Sequence, residues 1–129
     1  MIVGRMVKSR KGHGSVRVGT KIYSAGGWSG QGLLDSIEVF DTETRESSLI
    51  DFTLSQPRWW TTAGKFIGNN GNIWVAFIGG SIDDFVDAAE DATNATDVFD
   101  TGVKAKEDTA AVQPVEKLPT TWGEVKVGK

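Results

Sequence analysis

Apolar and polar residues alternate along this chain in several short runs. Within residues 16–18, 37–39 and 50–54, side chains such as valine, isoleucine and phenylalanine alternate with arginine, glutamate, aspartate or threonine. A period of two puts one face of a β-strand in a core and the other in solvent. The acidic stretch 81–93 is predicted to be a surface loop with at most one or two helical turns, which Ser81 or Asp83 could cap. The pattern therefore predicts an antiparallel, all-β chain.

Glycine residues mark the turns between these predicted strands. Asn70-Gly71 predicts a tight hairpin turn because both residue types tolerate positive φ, and residues 19–21 hold the corresponding place earlier in the chain. Glycine pairs at 26–27 and 79–80 end two strand-like runs. We expect glycine there because a side chain would obstruct a neighbouring backbone or because φ must become positive.

Three sequence elements recur in the same order, which indicates an internal repeat. The recurrences are VFDT at 39–42 and 98–101, a small–basic–apolar–glycine pattern at 14–20, 63–69 and 123–129, and a strand-like run ending in a glycine pair at 21–27 and 72–80. VFDT recurs without any change in sequence. The second unit is the longer because of an insertion between Gly80 and Val98.

The recurring unit resembles the kelch repeat, which forms four-stranded blades of a β-propeller. The resemblance covers about residues 8–129. It runs from Arg10 and His13 through KIYSAGG and DSIEVFDTET to QPR at 56–58, and then through IWVAFIGG and ATDVFDT to KLPTTW. Phe40 and Phe99 stand where the family usually has tyrosine, and the tryptophan that normally follows is missing.

The resemblance implies an all-β fold of antiparallel kelch-type propeller blades, about two blades plus the first strand of a third. The approximate units are 10–57 and 58–119, and a third unit begins near residue 120, so that residues 1–129 form one partial kelch propeller. A propeller closes with roughly four to eight blades of about 50 residues. We therefore expect a segment of a longer propeller, a homo-oligomer or an open arrangement, since bare strand edges promote aggregation.

Composition excludes several kinds of site. The chain has no cysteine, so disulfides, thiolate zinc sites and iron–sulfur clusters are ruled out. His13 is the only histidine, and the acidic residues of 81–91 lack the spacing of a calcium-binding loop. The glycine-rich stretch 26–32 lacks the lysine of a phosphate-binding loop. We predict no metal, no cofactor and no catalytic residue, and Asn94 is a glycosylation site only if the chain is secreted.

Charge is distributed unevenly along the sequence. There are 14 Lys and Arg against 17 Asp and Glu, giving a net charge of −3. Residues 1–21 contain six basic residues and no acid, whereas residues 81–103 contain seven acids and no base. Overall acidity and the lack of a nucleic-acid-binding motif argue against a nucleic-acid partner. The start of the chain lacks a secretory signal, and no apolar run is long enough to span a membrane, so we expect a cytoplasmic protein with the compartment otherwise open.

The predicted partner-binding residues are arginine and tryptophan side chains near strand starts and loops: Arg10, Trp28, Arg58, Trp59 and Trp60. Adjacent strand residues point to opposite faces, so one of Trp59 and Trp60 should be buried and the other exposed. An exposed tryptophan beside arginine is typical of an interface anchor, although packing between blades is the alternative.

The resemblance implies a non-catalytic protein-interaction module that binds a protein partner through blade loops. One alternative is a segment of a kelch-like carbohydrate-active enzyme, an oxidase or an epimerase. Tyr23 is the only tyrosine and there is no cysteine, so a copper-radical oxidase site is poorly supported. The other alternative is an incomplete fragment without independent function.

Overall fold

A computed structural model describes residues 1–83 and 91–108 of the chain. Within these residues it contains seven β-strands and one short 3-10 helix. They are β1 (Gly14–Val18), β2 (Lys21–Ala25), β3 (Ser36–Asp41), β4 (Glu46–Thr53), β5 (Thr62–Ile67), β6 (Asn72–Ile78), β7 (Thr96–Lys104) and the 3-10 helix Ala105–Glu107. The strands β1-β2-β3-β4 form the first sheet and β5-β6-β7 form the second, with antiparallel pairing throughout. The predicted all-β, antiparallel fold class is confirmed.

Parts of the sequence-based prediction fall outside the described residues. The helical turn predicted within 81–93 falls largely on residues 84–90. The remainder of the second unit and the first strand of a third unit fall within residues 109–129. The unit boundaries stay predictions. In the part of the chain that the structure describes, no helix is long and apolar enough to cross a membrane.

The two sheets pack face to face around one hydrophobic core. The first sheet contributes Val18, Ala25 and Ile37, which are fully buried, and the second contributes Val75 and Phe77. Aromatic rings bridge the sheets, because the ring centroids of Tyr23 and Phe99 are 5.4 Å apart in an edge-to-face contact. The period-two pattern in β1 and β3 thus marks the face of the first sheet that contacts the second.

The predicted hairpin between β5 and β6 is present, but its turn differs from the expected one. Gly71 has φ +80° and donates to the carbonyl of Gly68 at 3.0 Å. Asn70 does not share the positive φ. Its side-chain oxygen instead accepts from the backbone N–H of Asn72 at 3.1 Å and from the indole of Trp74 at 3.2 Å. The predicted hairpin is therefore present, and of the two residue types that tolerate positive φ only the glycine adopts it.

Both glycine pairs meet the requirements predicted for them. Gly26 and Gly27 have φ of +68° and +98°, and Gly79 and Gly80 have φ of +64° and +113°. A β-carbon added to Gly26 would collide with the carbonyl oxygen of Arg58. The N–H of Gly27 donates to that same oxygen at 2.8 Å. The first pair is glycine because the chain leaving the first sheet passes directly against it.

Candidate functional site

The antiparallel meander brings four connecting segments to one end of both sheets. These are residues 9–13 before β1, the β2–β3 loop (26–35), the segment between β4 and β5 (54–61) and the β6–β7 loop (79–95, described except for 84–90). We call this the loop end. All five residues predicted to bind a partner lie there, brought together from three separate stretches of sequence.

Arg10 lies at the loop end with its side chain fully buried. Its Nε donates to Oε1 of Glu38 at 2.7 Å, and its Nη1 donates at 2.8 Å to the carbonyls of Gly26 and Ser36. Glu38 is itself only 1% exposed. A charged pair out of contact with water is stable only when further hydrogen bonds satisfy it, as these do.

Arg58 has the same surroundings in the second sheet and is also 0% exposed. Its Nη1 donates to Oδ2 of Asp97 at 2.7 Å, its Nε to the carbonyl of Gly79 at 2.9 Å and its Nη2 to the carbonyl of Phe77 at 2.9 Å. The planar guanidinium suits this task because its donors form a rigid fork. Arg58 therefore ties the segment after β4 to strands β6 and β7.

Arg10 and Arg58 hold equivalent positions in the repeat, and neither side chain faces solvent. Their carboxylate partners are equivalent too, because Glu38 and Asp97 each stand directly before VFDT. Both arginines have a structural role in the fold, and the partner contact expected of them stays a prediction. Sequence reasoning missed Glu38 and Asp97 because period-two alternation places a charged residue on the solvent face. The recurrence of an acidic residue directly before VFDT in both units was the sequence signal that could have identified them.

Stability toward acid is expected to depend on Asp97. Burial raises the pKa of Asp97, but hydrogen bonds from Arg58 and Ser55 outweigh it and leave the pKa below the ordinary 3.8. The folded state then binds fewer protons than the unfolded state, so this stabilisation is complete above pH 3.8 and is lost as the pH falls through the lower folded value. When urea unfolding is measured from about pH 5 to pH 2, the free energy of unfolding should fall less steeply for Asp97→Asn than for the wild type. Parallel curves would contradict this role.

Trp59 and Trp60 divide as predicted, one buried and one exposed. Trp59 is 4% exposed and its indole N–H donates to the carbonyl of Asp83 at 2.7 Å, whereas Trp60 is 61% exposed. The reason differs from the expected strand alternation, because Trp60 has the left-handed φ of +57°. Gly12, at the equivalent position of the first unit, has φ +66°. This backbone conformation lifts the Trp60 ring away from the core, 5.1 Å from the ring of Trp59.

Trp28 forms a second aromatic surface at the loop end. Its ring is half-buried, and the ammonium of Lys11 lies 4.4 Å from the ring centroid, a cation–π contact. Backbone hydrogen bonds of 3.1 and 2.9 Å also join Lys11 and Trp28. A shallow hollow of about 210 Å³ beside them is lined by Ser9, Arg10, Lys11, Trp28, Ser29 and Gly30.

His13 and Asn94 also belong to the loop end. His13 directly precedes β1 and is half-buried, and Asn94 is exposed in the β6–β7 loop, where glycosylation stays a prediction. Among residues 1–83 and 91–108, no three histidine, aspartate or glutamate side chains are grouped so that they could hold a metal ion. Partner binding by the five predicted residues likewise stays a prediction.

Comparison with known proteins agrees with this repeat geometry. Residues 9–50 match the family model described as the Kelch motif. The match includes Arg10, Glu38 and the glycine pair at 26–27, which together form the buried network of the first sheet. No curated protein matches the chain. Residues 9–50 therefore carry a kelch motif, and the two antiparallel sheets are consistent with incomplete kelch blades.

Proposed function

We propose that this chain is a non-catalytic protein-interaction module that binds a protein partner through its loop end. Kelch repeats are in general protein-interaction modules, and this chain carries the kelch motif. The proposal further assigns the contact to tryptophan side chains at the loop end. Cytoplasmic localisation is part of the same proposal.

The exposure of Trp60 carries this proposal. A large aromatic ring is 61% exposed in a backbone conformation that bulky residues rarely adopt. Backbone strain of this kind clusters at functional sites. Buried Trp59 supports the ring from below, and Trp28 with Lys11 adds a second aromatic surface at the same end. Tryptophan is enriched among the residues that dominate binding energy at protein interfaces.

Loss of the Trp28 and Trp60 rings is expected to weaken peptide recognition without unfolding the chain. A random-peptide display library selected on the wild-type chain should yield peptides that bind the Trp28→Ala/Trp60→Ala variant at least about tenfold more weakly, since hot-spot truncation costs about 2 kcal/mol or more. The control is Thr44→Ala, an exposed residue of the β3–β4 turn at the opposite end. Far-ultraviolet circular dichroism checks that each variant is folded.

Equal binding of the selected peptides to all three chains would contradict the assignment to the loop end. A galactose titration monitored by tryptophan fluorescence distinguishes the alternative class. A saturable change with the wild-type chain, lost in Trp28→Ala, would favour a carbohydrate-active protein over a protein-interaction module.

A further inference from the structure

The N-terminal residues bind the first sheet in the way that the residues after β4 bind the second. We call residues 4–10 the N-terminal segment and residues 52–58 the joint segment. The backbone N–H of Val7 donates to Glu38 Oε2 at 2.8 Å, and that of Ser55 donates to Asp97 Oδ1 at 3.1 Å. The last residue of each segment binds the same carboxylate as its N–H donor does, since Arg10 pairs with Glu38 and Arg58 pairs with Asp97. Each segment thus binds one carboxylate through a backbone N–H and an arginine side chain.

The equivalence extends along the whole of both segments. At the first residue of each, Gly4 lies against the ring of Phe40, and the ring of Phe52 lies 5.3 Å from that of Phe99. The two contacted phenylalanines are equivalent because each is the second residue of VFDT. The N-terminal segment therefore holds the position of the end of a fourth strand against the sheet that follows it.

The two segments differ because the joint segment contacts both sheets. Besides binding Asp97 of the second sheet, it continues β4 of the first sheet, where Thr53 pairs with Ser36 of β3. The N–H of Leu54 also donates to the carbonyl of Asp35 at 2.8 Å. Within residues 1–83 and 91–108, no sheet lies on the corresponding side of the N-terminal segment. The side chains of Val3, Met6 and Val7 are exposed.

The second sheet offers the surface that such a segment would need. Within the described residues β7 is an edge strand, and Ile78 and Val98 are exposed on the outer face of this sheet. Their counterparts in the first sheet are Ala25, which also precedes a glycine pair, and Val39, which also begins VFDT. Ala25 lies in the core between the two sheets, and Val39 is half-buried and packs against that core. The outer face of the second sheet is therefore equivalent to a face that packs on a neighbouring sheet.

The two stretches of sequence that this contact would bring together differ in charge. Residues 1–21 contain six basic side chains and no acid, of which Arg10 is paired with Glu38, and residues 81–103 contain seven acids and no base, of which Asp97 is paired with Arg58. Placing the N-terminal segment beside β7 brings these stretches together, which favours encounter and orientation. The N-terminal segment and the outer face of the second sheet belong to one chain but lie on opposite outer sides of its two sheets.

We propose that a second copy of this chain packs head to tail on the first, repeating between copies the contact that joins the two sheets within one. The N-terminal segment of one copy then lies beside β7 of the other, and its first sheet covers Ile78 and Val98. Such a contact uses two different surfaces, so it closes into a ring or extends with further copies.

Disulfide trapping tests this register cleanly because the chain has no cysteine. Arg5 corresponds to Thr53 because each is the second residue of its segment, and Ala95 corresponds to Ser36 because each stands at the same place before VFDT. Ser36 and Thr53 are paired residues of β3 and β4. Full-length Arg5→Cys and mass-tagged Ala95→Cys chains are mixed under mild oxidation. The control mixture pairs Arg5→Cys with tagged Glu43→Cys, an exposed position in the β3–β4 turn.

We expect the Arg5→Cys/Ala95→Cys mixture to form its mixed disulfide at least about tenfold faster than the control, because the contact raises the local concentration of the two thiols. Light scattering should show wild-type species heavier than 13.9 kDa that dissociate as salt is raised. A wild-type monomer with equal trapping in both mixtures would overturn the proposal. It would mean that residues 109–129 of the same chain, or a different protein, cover β7.

Discussion

Replacement of Arg58 by methionine is expected to lower the free energy of unfolding by about 3–5 kcal/mol, because it leaves a buried ion pair without its cation. Arg58 makes charge-assisted contact with Asp97 and also satisfies the carbonyls of Phe77 and Gly79. Methionine fills similar space but donates no hydrogen bond, so the carboxylate and both carbonyls lose their partner. Urea unfolding monitored by circular dichroism at pH 7 measures the difference.

Lys65→Met is the matched control for this substitution. Lys65 also pairs with an aspartate, since its Nζ lies 2.6 Å from Asp108 Oδ2, but its side chain remains 32% exposed. An ion pair in contact with water contributes less than about 1 kcal/mol. The double variant Arg58→Met/Asp97→Leu should recover part of the loss by removing the unpaired charge. Equal destabilisation by Arg58→Met and Lys65→Met would show that burial of the Arg58 network has no special weight.

Replacement of Gly26 by alanine is expected to destabilise the chain by about 2–4 kcal/mol, through unfavourable backbone geometry and direct collision together. At φ +68° any L-residue with a β-carbon is strained. That β-carbon would also meet the carbonyl oxygen of Arg58, whose backbone cannot move without disturbing the guanidinium network. Thermal and urea unfolding both report the loss.

Gly64→Ala provides the comparison. Gly64 lies in β5, its φ is not in the left-handed range, and nothing lies within 4 Å of an added β-carbon. This substitution should change stability by no more than about 0.5–1 kcal/mol, with a gain expected from the reduced entropy of the unfolded chain. Equal stability of the Gly26→Ala and Gly64→Ala variants would contradict the conclusion that the Arg58 carbonyl lies too close to Gly26 for a β-carbon.

The features that the sequence predicts correctly are those that depend on neighbouring residues alone. Strand alternation depends only on the direction of neighbouring side chains, so the faces of β1 and β3 that carry Val18 and Ile37 could be predicted without tertiary contacts. Positive φ at a glycine pair is likewise a property of the residues themselves. The fold class and the repeat follow from such features.

Other residues could not be assigned in this way because their surroundings come from distant parts of the chain. Glu38 follows the strand pattern of a solvent-facing acid, yet the N-terminal segment and Arg10 cover it. The ring of Trp60 is exposed because its backbone repeats the left-handed geometry of Gly12, which holds the same place after Arg10 that Trp60 holds after Arg58. In each case a part of the chain remote in sequence decides the environment.

The sequence by itself therefore determined the antiparallel β-fold, the internal repeat and the positions of the glycine pairs, since each depends on short-range backbone and side-chain geometry. The tertiary structure alone decided that the two arginines are buried structural anchors and that Trp60, not Trp59, is the exposed ring. The physical reason is desolvation: whether a charged or aromatic side chain meets water depends on which sheet packs over it, and that packing is set by contacts between residues far apart in sequence.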